Sequence, residues 1–373
     1  MQSVYDEKNR CSGCGACKAA CPCGAIGMKP DDEGFRYPAI DRAACIDCGA
    51  CRAVCPYRSD DFCKEAGEPV FYAARHKDPD VLAASTSGGA FTAVSDFFLE
   101  HGGVVYGADF DDAFDVVHRR AETASARDRF RVSKYVQSRT DEAYADAVRD
   151  LHAGRTVPFT GTPCQTAGIR ALARHENLSG DLHTCDLICH SIPSPAIWTA
   201  YKRLVEEEQG GRLTDLVFRS KELAWNRRNT YRTFRFRTTA SDDWVYDKRF
   251  YVLFFKYGCI ARRSCYACPF ADTRRASDVT IADYWGIEKY LPEFRDPLGI
   301  SLVTINSPKG AALLDFLGRE MEMRRRPACE QLAEQPRLSG PEPLPPYMDA
   351  FWEDFRREGL SYVLAKKYGD GMR

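Results

Sequence analysis

The stretch Cys11-Ser-Gly-Cys14-Gly-Ala-Cys17-Lys-Ala-Ala-Cys21-Pro22 is repeated, spacing for spacing, in Cys45-Ile-Asp-Cys48-Gly-Ala-Cys51-Arg-Ala-Val-Cys55-Pro56. Each is a C-x2-C-x2-C-x3-C-P run, and the run has a physical purpose. Three thiolates on a tight, Gly-containing loop can hold three irons of a 4Fe–4S cubane, and the fourth cysteine crosses to the neighbouring cluster. The spacing therefore assigns Cys11, Cys14, Cys17 and Cys55 to one cluster, and Cys45, Cys48, Cys51 and Cys21 to a second. Gly13, Gly15 and Gly49 let backbone amides approach the sulfurs. A zinc ribbon also uses paired cysteines, four to each metal. Eight cysteines closed by two Cys-Pro steps fit two cubanes better. Cys23 and Cys63 fall outside the pattern and read as spare thiols. Residues 28–42, with Gly34-Phe35-Arg36-Tyr37-Pro38, read as a hairpin between the two runs.

Outward from this block, composition narrows the class. Of 17 cysteines in 373 residues, ten lie in the first 63. The first ten residues are polar and lack the apolar segment of a secretory signal. Clustered cysteines in a reducing compartment point to metal rather than to disulfides. With 52 basic and 53 acidic residues the formal charge is −1, which argues against a dedicated nucleic-acid surface. No apolar run approaches the ~20 residues of a membrane span. The expectation is a soluble, cytoplasmic redox protein.

Beyond a charged linker at 64–69 the pattern changes. Strand-like runs (70–75, 103–110, 115–121, 156–160, 181–189) alternate with helical periodicity (91–100, 141–152, 162–175, 195–208), which predicts an α/β core. Residues 212–220, 230–238 and 243–250 look antiparallel, and 280–283 and 301–306 return to the buried-strand type. The fold class expected is an α+β ferredoxin-like N-terminal module followed by an α/β flavin-binding body with an antiparallel insertion. Its domains would be 1–66, 70–150, 155–318 and a C-terminal helical tail over 319–373, with a last helix at 351–367.

Three features of the body carry possible chemistry. Ser85-Thr-Ser-Gly-Gly-Ala90 is a small-residue loop at a helix start, which could seat a phosphate or be a tight turn with its cap. Cys164 in Gly-Thr-Pro-Cys-Gln, Cys189 in Ile-Cys-His and the pair Cys265/Cys268 lie where four thiolates could meet. The first two follow buried strands, at the sheet edge where α/β folds place ligands. They would hold a third cubane; alternatively Cys265 and Cys268 bind zinc, or Cys164 is a small buried residue. Ser133-Lys-Tyr-Val-Gln-Ser138 puts polar groups around one aromatic, either as an exposed loop or beside a flavin, where a positive charge stabilises the reduced ring.

Taken together, these motifs resemble the coenzyme F420 hydrogenase/dehydrogenase beta-subunit family. The residues concerned are Thr86-Ser-Gly-Gly-Ala-Phe-Thr92, Gly102-Gly-Val-Val-Tyr-Gly107, 133–138, Gly161-Thr-Pro-Cys-Gln165 and Asp186-Leu-Ile-Cys-His-Ser-Ile-Pro-Ser-Pro195. Arg263-Ser-Cys-Tyr-Ala-Cys268 and Ser277-Asp-Val-Thr-Ile-Ala-Asp-Tyr-Trp-Gly286 complete the set. Two positions depart from the family pattern: Ser191 follows Cys189-His190 where Gly is common, and Ala282-Asp-Tyr-Trp-Gly286 replaces Gly-Asp-Phe-Trp-Gly. The resemblance implies one FAD and an adjacent 4Fe–4S cluster. Its ligands would be Cys164, Cys189, Cys265 and Cys268, with Cys185 or Cys259 as substitutes. Flavin contacts would be Ser87, Gly88, Gly89, Thr92, Ser133, Lys134, Tyr135, Gln137, Thr162 and Gln165.

The function so implied is an iron–sulfur flavoprotein oxidoreductase passing electrons between a ferredoxin-type carrier and an organic acceptor, a deazaflavin among the candidates. Two rivals stand beside it. One is an electron-transfer subunit docking on a hydrogenase- or dehydrogenase-type partner; the other is a non-catalytic iron–sulfur sensor. Trp225, Arg227 and Arg228 could bind an anionic acceptor, although a solvated basic loop accounts for them as well.

Overall fold

A computed structural model describes residues 3–58, 67–178, 181–222, 225–226, 234–366 and 368. Cys63, Arg227, Arg228 and the first half of the 64–69 linker (64–66) lie outside the described residues. The N-terminal module is a two-stranded antiparallel hairpin, β1 (Ile26–Pro30) and β2 (Arg36–Ile40), flanked by two one-turn helices, Ala16–Ala19 and Ala50–Ala53. Each helix starts at a glycine in the left-handed region, Gly15 at φ 84° and Gly49 at φ 80°. A side chain there would strain the turn that aims the cysteines.

The body is built on one mixed sheet. Its strands are β3 (Val70–His76), β4 (Val105–Phe110), β5 (Val116–Ala121), β6 (Val157–Gly161) and β7 (Leu182–Leu187). The antiparallel insertion follows as β8 (Leu213–Val217), β9 (Arg235–Thr238) and β10 (Ser241–Tyr246), and the chain then returns to the main sheet with β11 (Val279–Asp283), β12 (Ser301–Ile305) and β13 (Met321–Arg326). The large sheet runs β13-β3-β12-β11-β7-β6-β4-β5 and the small one β10-β9-β8. Its centre, β4-β6-β7-β11, is parallel, and antiparallel strands close both flanks. The antiparallel insertion is where the alternation of Phe234 and Phe236 with Arg235 and Arg237 predicts it. Both phenylalanines are buried, and both guanidinium groups stack on Trp244 at 4.1 and 4.2 Å.

Two expectations need correction. The segment 319–373 is not wholly helical, because β13 pairs with β3 along six residues. The last helix is broken at Gly359 (φ 81°) into Met348–Glu358 and Leu360–Ala365. The Ser85–Ala90 turn packs tightly on the sheet. Gly88 lies so close to β3 and β12 that a Cβ there would sit 2.3 Å from the Ala74 carbonyl oxygen and 2.4 Å from the Ser301 nitrogen. Gly88→Ala should therefore destabilise the fold by about 3 kcal/mol and lower the melting temperature by several degrees. An unchanged melting curve would mean that the turn can move off the sheet.

The module sits directly on the body. Ala16 and Val54 join a core with Tyr106, Tyr144, Phe159 and Leu172. Gly34 approaches the backbone of Ala196 so closely that a Cβ would lie 2.5 Å from its nitrogen, and Gly168 leaves room for Cys14, whose sulfur would be 3.1 Å from an added Cβ. Asp141 pairs with both Lys18 and Arg36 of the module.

Candidate functional site

The local folding of each cysteine follows from its motif. Helix Pro163–His175 begins with Thr162 as N-cap, Pro163 in the first turn and a reciprocal Thr162–Gln165 capping box. Such a box satisfies two backbone donors and fixes the first turn, which carries Cys164 just past the end of β6. Cys189 lies just past β7, the parallel neighbour of β6. Cys265 and Cys268 come from the short 3-10 turn Arg263–Ala267 and its cap. These four cysteines, separated by up to about a hundred residues, line one pocket, partly open to solvent.

A second pocket is lined by Cys11, Cys14, Cys17 and Cys55, the set that the crossing rule assigns to one centre. Ser12 and Tyr57 line both pockets, so the two are neighbours with a thin wall between them. Cys21 and Cys51 lie together at the module's outer core with Ile26 and Ile40, and Cys48 is exposed. Among the described residues no three His, Cys, Asp or Glu groups converge on a single metal ion. Thiolates on one zinc at ~2.3 Å would sit about 3.8 Å apart. Cysteines set around a cavity, not around a point, suit a larger polynuclear group.

Electrostatics point the same way. Burial pushes the Cys14, Cys17 and Cys189 thiols well up, Cys265 to about 12 and Cys268 to about 11, and in each case a neighbouring thiolate raises it further. Thiolates that repel one another in a low dielectric need a cationic centre to stay charged. Arg275 and Arg337 line the Cys164 pocket, and Arg275 Nε and Arg337 Nη1 are buried with no hydrogen-bond acceptor among the described residues. An anionic sulfur cluster would satisfy them, and the residues present fit such a group.

The wall between the pockets includes a group that no spacing argument found. Arg262 is 1% exposed and has no ion-pair partner among the described residues. It donates to the Cys11 carbonyl at 2.7 Å, to Gln137 Oε1 at 3.1 Å and to the Arg36 carbonyl at 3.1 Å. Its Nη2 lies 3.9 Å from Cys11 Sγ. Its guanidinium lies over Tyr37, 4.1 Å from the ring centre. The sequence signal was the basic pair Arg262-Arg263 just before Cys265.

The residues expected around a flavin divide into two places. Ser133 N–H donates to Thr86 Oγ1 at 2.9 Å, joining the 133–135 segment to the Ser87–Thr92 turn. Lys221 donates to the Ser87 carbonyl at 2.8 Å. Arg131 donates to Thr92 Oγ1 at 3.0 Å, and Gly89 packs on His76. Lys134 bonds three backbone carbonyls, those of Arg129, Arg131 and Val132. Burial lowers Lys134 to about 8 and Lys221 to about 7. Tyr135 packs among Phe218, Tyr251, Phe254 and Phe255 and accepts from Arg219 at 3.2 Å. Two half-buried lysines without a carboxylate in ion-pair range among the described residues suit an anionic cofactor such as FAD.

Gln137, Thr162 and Gln165 lie elsewhere. Gln137 donates to the Ser12 carbonyl at 3.0 Å and accepts from Arg262, which puts it at the module boundary. Thr162 and Gln165 form the cap that aims Cys164, whose sulfur is 3.2 Å from Thr162 Oγ1. The two places communicate: His190, beside Cys189, packs on Phe254 and Phe255, and these pack on Tyr135. Cys185 and Cys259 are buried in apolar clusters and line neither cysteine pocket. Trp225 is buried, stacks on Trp285 at 5.0 Å and donates to Asp283 at 2.7 Å.

Comparison with known proteins supports the iron–sulfur part of this reading. Residues 154–327 match the family model for the C terminus of the coenzyme F420 hydrogenase/dehydrogenase beta subunit, and residues 10–59 match the 4Fe-4S dicluster domain. The chain thus carries the C-terminal domain of the coenzyme F420 hydrogenase/dehydrogenase beta-subunit family, with a 4Fe–4S dicluster domain ahead of it. It is an iron–sulfur protein of oxidoreductase type. No curated protein sequence is significantly similar to it. Among solved structures it is similar to a chain of the xenon-derivatised F420-reducing [NiFe] hydrogenase complex from Methanosarcina barkeri. The identity is 17% and the TM-score 0.49, over 80% of this chain and 96% of that one. No helix among the described residues is long and apolar enough to cross a membrane.

Proposed function

We propose that this protein is an iron–sulfur flavoprotein oxidoreductase that passes electrons between a ferredoxin-type carrier and an organic acceptor. The observation that carries the reading is the pair of four-cysteine pockets, Cys11/Cys14/Cys17/Cys55 and Cys164/Cys189/Cys265/Cys268, with Tyr57 and Ser12 common to both walls. When bound, 4Fe–4S clusters supply one-electron carriers, and FAD supplies the conversion between one- and two-electron chemistry. The chain's own residues bind, space and insulate. Cys45, Cys48, Cys51 and Cys21 would hold the outer centre, and the two pockets the next two. Tyr57, half-buried beside Cys164 and Cys268, narrows the gap. Arg262 fixes the module in register with the body and places a positive charge beside Cys11. Lys134 and Lys221 bring amines beside the Ser87 turn, where the flavin is expected, and an anionic phosphate there would keep them protonated.

The rival reading, an electron-transfer subunit of a larger hydrogenase- or dehydrogenase-type complex, is favoured by one observation. Ile46 is 66% exposed on the same loop as exposed Cys48, an apolar spot suited to a docked redox protein. Co-purification from the native cell separates the two readings. The proposal itself is tested by anaerobic purification with iron, sulfide and flavin measured on one sample. About twelve irons and one FAD per chain are expected. About eight irons with no flavin would overturn the flavoenzyme.

A further inference from the structure

Four side chains that line the Cys164 pocket carry a buried polar atom with no hydrogen-bond partner among the described residues: Ser12 Oγ, Ser264 Oγ, Arg275 Nε and Arg337 Nη1. Buried donors are nearly always satisfied in folded proteins, so four around one pocket point to an acceptor that belongs there. The sulfur anions of a cluster are such an acceptor. Three of the four side chains come from the body. Ser12 comes from the N-terminal module, between Cys11 and Cys14 of the other cysteine set.

Chain position places Ser12 in the Cys11 loop, but its hydroxyl has a different neighbour. Ser12 lines both pockets. Burial raises the Cys164 thiol, and the hydroxyls of Thr162 and Ser12 oppose that rise. Burial likewise raises Cys14, Cys17 and Cys55, but the groups acting on them are cysteines, backbone N–H groups and, at Cys55, Arg58. The loop around Ser12 is clamped. Gln137 Nε2 donates to the Ser12 carbonyl at 3.0 Å, and Arg262 Nε to the Cys11 carbonyl at 2.7 Å. Next in the chain, Gly13 has φ 65° and no room for a side chain, since an added Cβ would sit 2.7 Å from the Arg36 carbonyl oxygen. With the backbone so held, the place of the hydroxyl depends on one side-chain torsion.

We infer that Ser12 is a positioning residue for the Cys164 centre: its hydroxyl donates across the module boundary to sulfur at that centre and favours the centre's reduced state. The inference rests on the proposed cluster at Cys164, Cys189, Cys265 and Cys268. A donor to sulfur stabilises the more negative, reduced form, so Ser12 biases an electron from the module toward the body. The electron lost on the Cys11 side is the one gained on the Cys164 side. The hydroxyl keeps its proton, and no bond is made or broken. Because the donor sits on the module, the seating of the module and the electron affinity of the body centre are coupled.

The test uses the reconstituted full chain with Ser12→Ala and Ser12→Thr. Cys268→Ala, which should lose about four irons, identifies the electron paramagnetic resonance signal of the Cys164 centre. In a redox titration Ser12→Ala should keep wild-type iron, with the Cys164 centre titrating at a more negative potential and the Cys11 centre unmoved. Loss of one neutral hydrogen bond corresponds to about a two- to tenfold shift of electron sharing toward the Cys11 centre. Ser12→Thr retains the hydroxyl and should restore the wild-type value. Electron–nuclear double resonance after exchange into heavy water should show one exchangeable proton fewer at the Cys164 centre in Ser12→Ala, a change that altered packing alone would not give. An unmoved Cys164 potential overturns the inference, as does an equal or larger shift at the Cys11 centre. If Ser12→Ala fails to load iron, the wild type still decides: a Cys164 signal coupled to no exchangeable proton overturns the inference by itself. A wild-type chain with about eight irons, unchanged by Cys268→Ala, would instead refute the third centre and with it the proposed function.

Discussion

Replacing Arg262 with glutamine should loosen the N-terminal module and shift the reduction potential of the centre at Cys11 to a more negative value. Both effects follow from one side chain. The guanidinium is buried, finds no carboxylate in ion-pair range among the described residues, and donates to the Cys11 and Arg36 carbonyls and to Gln137. Hydrogen bonds from a charged donor contribute about 1.5–3 kcal/mol each, and an abandoned buried carbonyl costs about 1–3 kcal/mol. These terms do not simply add, so a loss of about 3 kcal/mol or more is expected, read as an earlier first transition when the holoprotein is titrated with denaturant. The electrostatic effect is separate. A positive charge beside the Cys11 sulfur favours the more negative, reduced centre. Its removal must lower the potential, measured in a redox titration followed by electron paramagnetic resonance.

Arg262→Lys divides the two roles. A lysine keeps the charge and loses the planar fork, so stability should fall while the potential moves much less. Equal potentials in wild type and Arg262→Gln would mean that the side chain is packing alone.

How much of this was legible in the sequence depends on whether the information was local. The cysteine runs were legible, because a cubane loop is encoded within eleven residues and the crossing ligand within the same motif. The α/β centre of the sheet was legible too, since β6 and β7 are each followed by a capped helix and so continue the strand–helix alternation. β13 was not: Met-Glu-Met-Arg-Arg-Arg reads as a charged tail. Only Met321 in it is fully buried, as suits an edge strand whose partner is 250 residues away. The convergence of Cys265 and Cys268 with Cys164 and Cys189 was only one of the readings that spacing allowed, beside a zinc pair or a small buried thiol, and the family resemblance was needed to choose it. Gln137 illustrates a different limit. Its amide advertises hydrogen bonding but not the partner, and the partners turned out to be Ser12 and Arg262.

The second large effect is expected at the other end of the module. On the proposed reading, Cys48→Ala should abolish reduction of the FAD by reduced ferredoxin while leaving its reduction by dithionite measurable. Position argues this. Cys48 is exposed and shares its loop with Ile46, whereas the Cys11 set lies inward, its pocket walled by the same Tyr57 and Ser12 that wall the Cys164 pocket. A protein donor cannot enter either inner pocket, so it must meet the chain where thiolates reach the surface. Dithionite is small enough to reach the interior without that loop. About four irons should be lost and the remainder kept, because Cys48 belongs to neither inner set. Stopped-flow traces at the flavin absorbance with each reductant decide the matter. If Cys48→Ala loses its irons and ferredoxin still reduces the flavin at the wild-type rate, electrons enter elsewhere. The neighbouring surface over Cys55 and Pro56, flanked by Arg170, Arg174 and His175, would then be the next place to probe, since a basic groove beside an inner ligand offers an acidic carrier a shorter approach.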